Sequence, residues 1–163
     1  MKNFQIVLLT ILIASCNQPA SNTTTQKTVN TDSLRTELMN TDKAWNDASL
    51  QKGYYHSRVD FVADDGIELS GNEMPLVGKQ AVSDYVAAHS DSALKIYWKA
   101  LRAEVAASGD LGYTYGSYTD ELKTKSGKDT MVYGAYITVW KKQSDGSWKF
   151  LADGGVPSPQ EVK

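Results

Sequence analysis

The chain has 163 residues, ordinary apolar content and a formal net charge of −2, which suits one domain of typical size. No Lys/Arg cluster forms a stripe, so nothing in the charge pattern suggests nucleic acid or a polybasic membrane contact. Cys16 is the only cysteine, which excludes an intrachain disulfide and a Cys-based metal site.

The N-terminal segment MKNFQIVLLTILIASC carries one lysine, then an apolar run over residues 6–14. That run is too short for a permanent membrane helix and suits the core of a signal peptide. Ile13-Ala14-Ser15-Cys16 resembles the lipobox of bacterial lipoproteins. The resemblance implies cleavage before Cys16 and acylation there, anchoring the protein to a membrane of the bacterial cell envelope: the outer membrane or the periplasmic face of the inner one. Each buried CH₂ of such a chain contributes about 0.8 kcal/mol. Residues 17–31, NQPASNTTTQKTVNT, are polar and cannot bury a core; they read as a flexible tether. The expected organisation is a signal peptide over 1–15, a lipidated cysteine and tether over 16–31, one folded domain over 32–159, and a tail over 160–163.

Thr31-Asp32-Ser33 offers N-capping side chains to a first helix. Leu34, Leu38, Thr41, Trp45 and Ala48 share one face of it, and Gly53 stops it. Trp45 is expected to anchor the core; the alternative is that its indole N–H donates to a ligand. Asp42 and Asp47 fall off this stripe and are expected to be solvated. Residues 54–63 suit a short second helix, Asp64-Asp65-Gly66 a turn, residues 67–70 a short strand, and residues 79–89 a third helix.

The remainder is β-rich, with most of the 9 Tyr and 4 Trp in alternating runs. A strand over about 94–107 precedes three more, separated by Ser108-Gly109, Ser126-Gly127 and Asp145-Gly146, short Gly-containing hairpin signals. The fold class expected is α+β: four long antiparallel strands and a short one, curved around about three N-terminal helices. If each turn holds two residues, Thr138 lies opposite Tyr115 and Asp153. One face then collects Trp98, Arg102, Glu104, Tyr113, Tyr115, Tyr136, Thr138, Trp140, Leu151 and Asp153, a mixture that suits a lined cavity. The other collects Leu101, Val105, Tyr118, Leu122, Tyr133, Ile137, Val139, Trp148 and Phe150. This second face packs on the helices or meets a second copy of the chain; Ile137, Val139, Trp148 and Phe150 would form such a homodimer contact.

The chain resembles the nuclear transport factor 2-like superfamily, also called the SnoaL-like or ketosteroid-isomerase-like cone fold, and within it the bacterial domain of unknown function 4440. The resemblance rests on Trp45, Met74-Pro75-Leu76-Val77-Gly78-Lys79, Trp98, Ser108-Gly109-Asp110-Leu111-Gly112-Tyr113-Thr114-Tyr115-Gly116, Gly134-Ala135-Tyr136-Ile137-Thr138-Val139-Trp140 and Asp145-Gly146-Ser147-Trp148-Lys149. It implies a curved sheet with a pocket between sheet and helices, the mixed face concave, and the apolar face available for dimers. Ketosteroid isomerases use an Asp base with a Tyr and a protonated Asp as oxyanion donors. Here the base position falls on Ser70, the protonated-Asp position on Tyr136 and the Tyr position near Trp45, so that triad does not carry over.

The expected pocket set is Trp45, His56, Trp98, Arg102, Tyr113, Tyr115, Tyr136, Thr138 and Asp153, with His56 and Glu73 at its rim. Asp153, a carboxylate in an aromatic cavity, is the one candidate acid or base; Arg102 would oppose its pKa rise if it reached it. His56 and His89 belong to no spaced metal-ligand motif, and neither a metal nor a cofactor is expected. The preferred reading is an envelope lipoprotein that holds a small, partly apolar ligand without catalysis. The alternatives are a cofactor-independent isomerase, hydratase or cyclase using Asp153 with Tyr115 or Tyr136, and an interaction domain with a vestigial pocket.

Overall fold

The computed structural model describes residues 29–69, 73–89, 95–124 and 126–163; the signal peptide, Cys16, most of the tether and Ser70 lie outside them. Helix α1 spans Thr31–Lys52, with the Asn30 side chain accepting from the Ser33 backbone N–H as its N-cap and Gly53 at its C-terminus. Its buried residues are Leu38, Asp42, Trp45 and Ser49. The stripe is thus rotated from the expected one, and Asp42, expected in solvent, is fully buried. Helix α2 covers Tyr54–Phe61 and α3 covers Lys79–Ala88.

Among the described residues six strands form one open sheet: β1 Val62–Leu69, β2 Leu76–Val77, β3 Lys95–Val105, β4 Leu111–Lys123, β5 Asp129–Lys142 and β6 Trp148–Ser158. Their order is β2-β1-β6-β5-β4-β3. The pair β1–β6 is parallel and the rest are antiparallel. The class is α+β as expected, with two corrections. The segment 76–77 adds a strand, and Asp64-Asp65-Gly66 lies within β1 as an irregularity between Val62 and Ile67.

The meander's register departs from two-residue turns. Thr138 faces Asp153 as expected, but its other partner is Thr114, and Tyr115 faces Ile137. The β4–β5 loop closes at Thr124 and Lys128, where the Thr124 N–H donates to the Lys128 carbonyl at 2.8 Å. That loop is one residue longer than expected, so all of β4 turns over relative to β5. Tyr113 and Tyr115 therefore lie on the convex face, with Arg102 and Glu104 beside them. A bulge between Ala100 and Arg102 returns Trp98 to the concave face. At β5–β6, Gln143 and Ser147 close an equally lengthened loop (2.7 Å), which sends Trp148 and Phe150 into the core. A second bulge between Val139 and Trp140 restores Asp153 to the concave side.

The core is aromatic. Trp45 stacks on Phe150 (5.1 Å between ring centres) and on Phe61 (5.9 Å), and meets Trp98 (5.1 Å) and Trp140 (5.9 Å) edge-on. These are the favoured geometries for aromatic pairs. Trp148 and Phe150 therefore contribute no dimer surface. Among the exposed apolar side chains of the sheet, Leu69, Tyr115, Ile137 and Val156 gather in one shallow depression on its convex face.

Urea denaturation of two variants tests this register. Phe150→Ala is expected to lose about 3–5 kcal/mol of stability. Ile137→Ala, on the exposed face, is expected to lose less than about 1 kcal/mol. Comparable losses would contradict it.

Candidate functional site

A cavity of about 350 Å³ opens on the concave side, lined by Trp45, Tyr54, Ile96, Trp98, Tyr118, Asp120, Tyr136, Asp153, Gly154 and Gly155. That volume suits a small organic molecule. Helix α1 supplies Trp45, α2 supplies Tyr54, and strands β3 to β6 supply the rest. Two cross-strand pairs shape the wall: Gly116 faces Tyr136, and Gly134 faces Tyr118. A Cβ at Gly116 would lie 2.6 Å from the Tyr136 ring, and one at Gly134 would lie 2.1 Å from the Tyr118 ring. Each tyrosine is thus laid flat across a glycine, a position that no other residue leaves open.

Beneath this wall Asp42 accepts hydrogen bonds from Thr114 Oγ1 (2.6 Å) and Tyr136 OH (2.9 Å). Trp140 Nε1 donates to Thr114 Oγ1 at 2.9 Å. Burial raises the Asp42 pKa above the usual carboxylate range, although these donors favour its charge. The Tyr136 hydroxyl is pushed up by burial and by the Asp42 charge. Thr138 Oγ1 donates to Asp153 Oδ1 at 2.6 Å. Burial lifts Asp153 to about 6; Thr138 opposes the rise, Asp42 adds to it and Arg58 opposes it. Asp120 is raised by burial as well, and its Oδ1 is buried with no hydrogen-bond partner.

Arg58 and Glu68 form an ion pair that is only 2% and 3% exposed. The Arg58 guanidinium lies over the rings of Tyr55 (4.6 Å), Tyr54 (4.8 Å) and Tyr85 (5.5 Å). These contacts offset part of the cost of burying the charge. Arg58 thus takes the role foreseen for Arg102, the cation that acts on Asp153. Arg102 itself is on the convex face, 65% exposed and paired with Glu104 at 2.9 Å.

Of the expected pocket residues, Trp45, Trp98, Tyr136 and Asp153 line the cavity, and Thr138 sits behind Asp153 as its donor. Arg102, Tyr113 and Tyr115 do not reach it, because the longer β4–β5 loop places them on the opposite face. His56 is exposed on α2 and does not line the cavity; nor does Glu73. Sequence reasoning missed Tyr54, Ile96, Tyr118, Asp120, Gly154 and Gly155 at the cavity, and Asp42, Arg58 and Glu68 beneath it. The spacing of Asp42 from Leu38, Trp45 and Ser49 was the available signal. Arg58 and Glu68 carried none. Among the described residues, no group of three or more His, Cys, Asp or Glu side chains is placed to hold a metal ion, and no helix is long and apolar enough to cross a membrane.

Several solved structures share this architecture. A ketosteroid isomerase-like protein from Erwinia carotovora atroseptica matches with a TM-score of 0.61 at 14% identity, covering 76% of this chain and 96% of that one. A nuclear transport factor 2-like superfamily protein from Salmonella enterica matches with a TM-score of 0.61 at 10% identity, covering 79% and 94%. A hexachlorocyclohexane dehydrochlorinase from Novosphingobium barchaimii matches with a TM-score of 0.60 at 17% identity, covering 78% and 90%. Identities this low establish the fold. No family model matches the sequence, and no curated protein does, so the finer likeness to the domain of unknown function 4440 rests on the motifs alone.

The raised Asp153 pKa sets a pH dependence. A carboxyl whose pKa is higher folded than unfolded stabilises the fold fully below its unfolded value, 3.8, and loses that contribution as pH rises through its folded value, about 6. Over that interval wild-type stability is expected to fall relative to Asp153→Asn. The difference is at most about 3 kcal/mol, at 1.36 kcal/mol per unit, and less for a part-buried group. Chemical denaturation of both proteins across the interval checks this; parallel curves would contradict it.

Proposed function

We propose that this domain, which has the cone fold of the nuclear transport factor 2-like superfamily, holds a small, partly apolar molecule in its concave cavity without transforming it. The observation that carries this reading is the cavity itself, with aromatic walls for an apolar body and carboxylates to fix a polar group. The Tyr136 hydroxyl is committed to Asp42 rather than to the cavity, and Ser70 stands at the isomerase base position.

A second reading is cofactor-independent acid–base catalysis by Asp153. It is favoured by one observation: this carboxylate lines the cavity with its pKa raised to about 6, near the operating range of a general base. Its partner from the expected pair would be Tyr136, since Tyr115 is on the other face. Once a substrate is found, Asp153→Asn tests this second reading, because turnover that survives unchanged rules Asp153 out.

We further propose that the protein is an envelope lipoprotein acylated at Cys16, supported by the lipobox-like segment and the polar stretch after it. The convex residues Tyr115, Ile137, Val139 and Val156 take over from Trp148 and Phe150 as the surface offered to a second copy.

Native mass spectrometry of the full chain, extracted gently from cells, tests the binding reading. A retained small molecule is expected, and it should be lost in Ile96→Trp, which fills the cavity. Wild-type protein free of any small molecule, or a ligand that Ile96→Trp retains, would contradict the reading. The same spectra read whether two copies associate. Fractionation tests the anchor. Wild-type protein is expected with membranes and Cys16→Ser in the soluble fraction; an unchanged distribution would refute acylation at Cys16.

A further inference from the structure

The cavity is more acidic than an apolar ligand requires. Asp120 and Asp153 line it and Asp42 lies beneath its wall. Arg58, the cation whose charge acts on Asp153, is already paired with Glu68, so among the described residues neither Asp120 nor Asp153 has an ion-pair partner of its own. The Asp120 Oδ1 is the clearest case, shielded from water and without a hydrogen-bond partner. A buried carboxylate oxygen left in this state is costly unless something supplies positive charge or a donor.

Around these carboxylates stand ring faces and edges. Trp98 lies edge-on to Trp45 at 5.1 Å and to Tyr54 at 6.1 Å, and Tyr118 lies flat across Gly134. Aromatic faces attract cations through their quadrupoles, and the attraction is larger where water is excluded. The fold already uses this device once nearby, where three tyrosine rings surround Arg58.

From this juxtaposition we infer that the cavity selects a small organic ammonium compound, its cationic head set among Trp98, Tyr54 and Tyr118 and neutralised by Asp120 and Asp153. This rests on the small-molecule reading above and names the chemical class of the ligand. Burial raises both carboxyls, as expected of a site that a positive charge would stabilise.

The test is calorimetric titration of the detergent-solubilised full chain with two ammonium probes, choline and benzyltrimethylammonium. Each is compared with its neutral isostere, in which carbon replaces the quaternary nitrogen. At least one ammonium is expected to bind about 10-fold or more tighter than its isostere, since a desolvated cation–π contact contributes about 2 kcal/mol and 1.4 kcal/mol is tenfold. Asp120→Asn, part-exposed and with no hydrogen bond to lose, is expected to weaken that ammonium about 3-fold or more and leave the isostere unchanged. Asp153→Asn, once shown to unfold cooperatively, should act in the same direction. Isosteres that bind as well as the ammonium probes, or an Asp120→Asn protein that binds both equally tightly, would overturn the inference while leaving a small-molecule pocket. Failure of all four compounds overturns it also. A neutral or anionic molecule retained in the native mass spectrum would then keep the pocket reading alive, and an empty spectrum would remove both.

Discussion

Asp42 is a carboxylate buried in the middle of a long helix, and the position of the helix against the sheet depends on what it touches. Taking a carboxylate out of water costs several kcal/mol unless donors replace the lost hydration. Thr114 on β4 and Tyr136 on β5 supply those donors, and Trp140 caps Thr114 from the adjacent strand. These bonds tie α1 to two neighbouring strands at one point, so the helix cannot slide without stranding the charge. One turn further along, Trp45 enters the aromatic core and forms part of the cavity floor. The packing of the core and the shape of the cavity therefore share one polar anchor.

The same anchor governs the electrostatics. The Asp42 charge adds to the pKa rise of Asp153 and of Tyr136, while Arg58 works against that rise at Asp153. Arg58 is itself held by Glu68 and by three tyrosine rings. A domain selected only for stability gains little from such an interior, since apolar residues of similar volume often serve as well as a buried ion pair. Keeping four carboxylates and a guanidinium around one cavity fits a polar task inside it.

The fold was legible because hairpin signals, the helix stripe and the aromatic runs all pointed the same way. The sides of the strands were legible only in part, and two small geometric features account for this. Each of the last two hairpins closes with one residue more than the shortest turn, which reverses a strand beside its loop. Each reversal is undone further along by a bulge, between Ala100 and Arg102 in β3 and between Val139 and Trp140 at the β5–β6 pairing. Counting from the turns thus placed Trp98, Tyr136, Thr138 and Asp153 on the concave face, yet put Arg102, Tyr113 and Tyr115 there and Trp148 and Phe150 outside. Bulges have no alternation signal of their own, because the pattern on either side remains period two. Asp42 was hidden differently: its spacing fits the buried stripe, but an aspartate is a poor candidate for burial until its donors, 72 and 94 residues away, are known.

Shared architecture leaves the choice between binding and catalysis to the site. Asp153, with a pKa near 6, is mostly ionised at neutral pH, which suits a base and a counter-ion equally. Its surroundings separate the two. A base that removes a proton from carbon needs a second group to hold the charge that develops on the substrate. Tyr136 would be the neighbour for that task, but its hydroxyl proton is directed at Asp42, and Asp42 makes a tyrosinate there still less favourable. With negative groups on that side of the cavity, an anionic transition state would be opposed where a cationic ground state would be stabilised. The geometry that disfavours an enolate is the geometry that welcomes an ammonium ion, and for that reason the binding reading is preferred.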